Sequence, residues 1–163
     1  MVNLILLHEQ GVHKWDKKFG KALEESTLDT ILGNFLEVNP DHAVNLARCF
    51  LVKLKEVQEL FQSQTSYHAF GSSILFCYDY ENLDSIDWVT TNPVRVRLID
   101  FAHVFPGNGI LDENYLFGVS SLVKLFDTFI QRNWLHNCLQ TTEFIMIVLY
   151  MIWIINKGPK FCC

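Results

Sequence analysis

Val94-Arg95-Val96-Arg97-Leu98-Ile99-Asp100-Phe101-Ala102-His103 is a strand with a carboxylate at its end. Val94, Val96 and Leu98 alternate with Arg95 and Arg97, which gives a strand with two unlike faces. Asp100 then follows the apolar pair Leu98-Ile99 and precedes Phe101. A carboxylate there is costly unless something uses its charge. One use is a magnesium ion, which takes one or two carboxylates and completes its shell with phosphate oxygens and water. The plainer use is a turn cap, or an ion pair with Arg95 or Arg97, and spacing alone favours that. His103, three residues on, could donate to an anion, although a lone histidine is more often structural.

Working upstream, Ile74-Leu75-Phe76-Cys77-Tyr78 is a short apolar run that suits a buried strand. The polar stretch from Glu81 to Pro93 separates it from the first strand, so the two form an antiparallel hairpin. If Tyr80 faces Pro93, the constant sum of an antiparallel ladder sets Ser73 opposite Asp100. The segment Gly71-Ser72-Ser73 therefore brings a hydroxyl to the carboxylate, a weak further ligand for a metal. A solvated strand start is the plainer reading of Ser72.

Helices flank the hairpin. Glu24-Glu25-Ser26 starts one, with Leu28, Ile31, Leu32 and Phe35 at helical spacing. Asn39-Pro40-Asp41 is a turn from which Asp41 can cap the next helix. That helix buries Ala43, Leu46, Ala47, Phe50, Leu54, Val57 and Phe61 and runs to about Gln64. Pro106-Gly107-Asn108-Gly109 breaks the chain. A last helix starts near Asp112 or Glu113, with Leu116, Val119, Val123, Phe126 and Ile130 as its buried stripe.

Half of the 163 residues are hydrophobic and 19% are charged, which excludes a disordered chain. The net charge of -5 offers no global attraction to nucleic acid or acidic membranes. An anionic ligand needs a local basic cluster, and His13, Lys14, Lys17, Lys18 and Lys21 supply the densest one. A solvated surface is as good a reading of any single lysine. The cysteines make no Cys-x-x-Cys pair and read as reduced thiols of a cytoplasmic or nuclear protein. Met1 to Leu7 has no basic region before its apolar run and does not read as a signal peptide. Phe144 to Ile155 is unbroken apolar sequence, yet too short to span a membrane. Its plainer reading is an added packed element or sequence foreign to the domain; membrane contact through this tail and Cys162-Cys163 is the alternative.

Taken together, these segments resemble the inositol polyphosphate kinases. Ser72-Ser73-Ile74-Leu75-Phe76-Cys77-Tyr78-Asp79 resembles their Ser-Ser-Leu-Leu-Phe-x-Tyr-Asp/Glu strand, and the opening stretch resembles their Ile-Asp-Phe strand. Ala102-His103-Val104-Phe105-Pro106 is most similar to the multikinase branch. Asp112-Glu113-Asn114-Tyr115-Leu116-Phe117-Gly118 resembles the Asp-x-x-Tyr-x-x-Gly segment opening their last helix. Lys17-Lys18-Phe19-Gly20-Lys21 resembles a turn before the first helix of their C-terminal lobe.

The resemblance implies an α+β fold: the C-terminal lobe of a two-lobed, ATP-grasp-like enzyme distantly related to protein kinases, with helices on a small antiparallel sheet. It implies residues 16–132 as that lobe, 1–15 as an unassigned segment and 133–163 as a hydrophobic tail outside the match. It implies ATP and magnesium as cofactors, with Asp100 and Ser73 at the metal and nucleotide. His103, Lys17 and Lys21 would face an inositol polyphosphate substrate. The family's Pro-x-x-x-Asp-x-Lys-x-Gly motif and the lysine that holds ATP in the N-terminal lobe are not found in this sequence. The long insert that some multikinases carry between the two strands is not found either. The expectation is therefore a kinase in truncated form; an inactive fragment serving as a binding module is the alternative.

Overall fold

The computed structural model describes residues 5–8, 11–14, 25–36, 41–79, 82–88 and 93–140. Their order is β1 (Ile5–His8), β2 (Gly11–Lys14), α1 (Glu25–Leu36), α2 (Ala43–Ser63), β3 (Tyr67–Ala69), β4 (Ser73–Tyr78), a short 3-10 turn (Leu83–Ser85), β5 (Val94–Ile99), β6 (Val104–Pro106) and α3 (Glu113–Gln140). The strands form three two-stranded antiparallel sheets: β1 with β2, β3 with β6, and β4 with β5. The architecture is α+β. The chain divides into two compact units, Met1–Ile130 and Gln131–Cys163.

The core of the first unit follows from the helical spacing. On α2, Leu46, Ala47, Phe50, Leu54 and Phe61 are fully buried. The β4–β5 hairpin lays its apolar face against this helix, so Val94 and Val96 join Phe50 in one cluster with Leu32, Leu36, Phe126 and Phe129. Phe50 is its hub: its ring meets Phe35 at 5.7 Å, Phe76 at 5.5 Å, Tyr78 at 6.3 Å and Phe126 at 5.8 Å. Such aromatic contacts add to the stabilisation from burial itself. The last helix starts at Glu113 and buries Val119, Phe126 and Phe129.

Three expectations change. First, the hairpin register is one residue different. Asp79, not Tyr80, faces Pro93, and its N–H donates to Pro93 O at 3.3 Å. Ser73 consequently pairs with Ile99 rather than Asp100. Second, Asp41 does not cap α2. His42 occupies the N-cap without a side-chain cap bond. Its Nε2 lies 2.9 Å from Asp84 Oδ1, and its ring packs on Trp88 at 5.3 Å. Third, the polar stretch between β4 and β5 does not simply loop out: Leu83 in its 3-10 turn is buried in the core.

The β3–β6 pair was not anticipated. Three residues per strand are too few for alternation to show, and all of β6 is exposed. Gly107 locks this pair to the end of α2. Its N–H donates to Ser66 O at 2.9 Å. A Cβ at Gly107 would lie 2.4 Å from Thr65 O and 2.9 Å from Tyr67 N, which only glycine avoids.

Candidate functional site

Asp100 closes β5 in a left-handed conformation, φ 63°. L-residues adopt this region rarely, although Asp and Asn tolerate it best. Strained backbone of this kind clusters where geometry serves a ligand. The site is exposed, with Ile99, Phe101, Val104 and Phe105 all open to solvent around it.

The alternative use of the Asp100 charge is not realised. Neither Arg95 nor Arg97 pairs with it; Arg95 Nη1 donates to Val94 O at 3.1 Å and Arg97 Nη1 to Val96 O at 3.2 Å. Among the described residues, no hydrogen bond or ion pair engages the side chain of Asp100, Ser73 or His103.

Strand pairing gathers these three residues at one end of the fold. Ser73 opens β4 beside Ile99, the neighbour of Asp100. His103 precedes β6, and its carbonyl accepts the Phe70 N–H at 3.1 Å. The tight turn between β3 and β4 uses Gly71 at φ +70°. Lys17 and Lys21 lie outside the described residues. Of the basic cluster, His13 and Lys14 fall on β2.

Sequence reading took Asp112 only as a helix start. It is the buried charged residue of the described chain, 4% exposed. Its Oδ1 accepts the Tyr115 N–H at 3.0 Å, and its Oδ2 accepts the Ala69 N–H at 2.7 Å. Tyr115 stacks on Phe61 at 4.1 Å. Burial pushes the Tyr115 phenol above its ordinary pKa, and its buried hydroxyl has no hydrogen-bond partner among the described residues. The Asp-x-x-Tyr-x-x-Gly resemblance marks Asp112, but no sequence signal shows its bond to Ala69, because that bond is long-range. A groove of about 450 Å³ lies elsewhere, between Lys53, Glu56 and Val57 of α2 and Val94 to Arg97 of β5.

The profile of the inositol polyphosphate kinase family matches residues 4–127. The chain belongs to that family. An inositol polyphosphate multikinase of Oryza sativa subsp. indica is 43% identical over 75 residues, which is 45% of this chain and 25% of the relative. The inositol polyphosphate multikinase of Schizosaccharomyces pombe is 31% identical over 127 residues, 71% of this chain and 47% of the relative. A solved structure from work on the protein engineering of an inositol phosphate multikinase superposes with a TM-score of 0.62 at 24% identity, covering 77% of this chain and 59% of that one. That likeness shows the fold. The chain thus spans about a quarter to a half of the curated multikinases it matches. Within the inositol polyphosphate kinase family's matched span lie both strands of the β4–β5 hairpin, the turn before Ser73 and the start of α3.

Proposed function

We propose that this chain is the C-terminal lobe of an ATP-dependent kinase that phosphorylates hydroxyls of inositol polyphosphates, and that it is a partial form of that enzyme. The observation that carries the reading is Asp100: a carboxylate held in a strained conformation, exposed, and without a partner among the described residues. The names of the multikinase relatives supply the substrate class.

The donor set suits magnesium. Among the described residues, no group of three His, Cys, Asp or Glu side chains could hold a metal by itself. One carboxylate with a nearby hydroxyl is instead what an ion needs when nucleotide phosphates fill its other positions. Asp100 would hold the metal and Ser73 would lend a weak ligand. When bound, the metal neutralises charge on the transferring phosphoryl group. His103 would donate to a substrate phosphate, and Lys17 and Lys21 would add positive charge for a polyanion. Phosphoryl transfer depends on positioning and charge neutralisation, so groups from an N-terminal lobe would complete the site.

The test is incubation of the 163-residue chain with labelled ATP and inositol trisphosphate, beside Asp100→Asn. Transfer by the wild-type chain that the substitution abolishes would support the catalytic reading of Asp100. Equal signals would remove the catalytic reading of Asp100. No signal from either would remove catalysis by this chain and favour a binding module.

A further inference from the structure

The chemistry proposed above makes no use of Asp112, yet its carboxylate is held on both oxygens. Capping α3 requires one acceptor for the first-turn N–H groups, and Oδ1 supplies it through Tyr115. The Oδ2 bond to Ala69 does nothing for the helix. It reaches the last residue of β3, 43 positions away in sequence.

The turn just after Ala69 presents the site. Ala69 pairs with Val104, and Phe70 donates to His103 O. Ser72 Oγ donates back to Ala69 O at 3.2 Å. Ser73 then pairs with Ile99, one residue from Asp100. His68 Nε2 lies 3.1 Å from Ile110 O, a second tie between β3 and the segment leading into α3. Phe70 and Gly71 at the tip of the turn are exposed and the glycine sits at positive φ, so burial restrains the tip little.

We infer that Asp112 is a positioning residue for the Asp100 site: its Oδ2 clamps the Ala69 N–H so that the turn delivers Ser73 and His103 to the end of β5. The inference rests on the reading of Asp100 as a metal ligand only for its functional consequence; the clamp itself can be tested without metal.

Asp112→Ser separates the two bonds. Serine is a good N-cap but too short to cap Tyr115 and reach Ala69 together. The full chain carries the test, with Phe129→Leu as a control that weakens the core on α3. In Asp112→Ser, amide exchange at Ala69 to Ser73 and at Asp100 should quicken about tenfold, while α2 amides keep wild-type protection. Manganese ion, read by paramagnetic broadening of the Ser73, Ile99 and Phe101 amides, should bind about tenfold more weakly. Phe129→Leu should lower the Tm without selecting these amides. Wild-type exchange across the turn in Asp112→Ser would overturn the inference, as would equal loss in the control. If Asp112→Ser does not fold, Asp112→Asn, which keeps the shape but cannot accept on both atoms, is read the same way. Absence of broadening in the wild type would remove the metal reading of Asp100, and the exchange data would still decide on the clamp.

Discussion

The two faces of the β4–β5 hairpin differ more than any two regions of this molecule. One face carries Phe76, Tyr78, Val94 and Val96 onto α2 and into the aromatic cluster around Phe50. The other carries Leu75, Cys77, Arg95, Arg97 and Ile99, all exposed. The same strands thus serve two purposes, separated by the period of two. Residues on the inner face are fixed by packing, whereas those on the outer face are exposed and held by little burial. Asp100 ends the strand between these regimes.

This contrast can be broken at several points. Phe50→Ala should cost about 3–5 kcal/mol, because the cavity opens among four aromatic rings. Urea unfolding would show it, and a small loss would mean that the inner face does not organise the lobe. Gly107→Ala should cost about 1–3 kcal/mol by pushing on the backbone of Thr65 and Tyr67, measurable as a lowered Tm. At Asp100 the expected order is specific to its φ. Asp100→Ala should lose about 1 kcal/mol, whereas Asp100→Asn and Asp100→Gly, which suit the left-handed region, should lose less. Equal stability of all three would show that the backbone there is unstrained in solution. Leu75→Ser, one residue from the core side chain Phe76, should change stability by no more than about 0.5 kcal/mol.

The smallest effect is a pH dependence. Burial raises the pKa of the Cys49 thiol and the Tyr115 phenol. Their unfolded forms lose protons first, so the native state binds more protons in alkali and stability falls as pH rises above about 9. Urea midpoints at pH 7 and 10, for wild type and Cys49→Ala, would isolate the thiol's share.

Much of the fold was legible because α2 and β5 show clean periodicities of 3.6 and 2. The register was harder, since β4 is apolar at almost every position and does not itself say which of its faces meets Val94 and Val96. The β3–β6 pair was hidden because each strand has three residues, too few for alternation to show, and β6 is wholly exposed. Asp100 and Ser73 stand out in the sequence through family motifs more than through chemistry, and their site roles are the reading proposed above. Asp112 was half legible: its cap bond is local, but the bond to Ala69 depends on a fold not yet known. Lys17 and Lys21 stand outside the described residues, so their part rests on resemblance alone.

The arginine contacts on β5 have a consequence for the chain in concentrated solution. Since Asp79 bonds to Pro93, alternation turns the backbone groups of Val94 and Val96 outward, along the edge that β4 does not cover. Those outward carbonyls are the ones that Arg95 and Arg97 take up. An open strand edge is a template on which further chains can add and polymerise. Here the guanidinium groups occupy its acceptors and place like charges where a second copy would align. The two arginines thus cap acceptors on the β5 edge that a second copy would need.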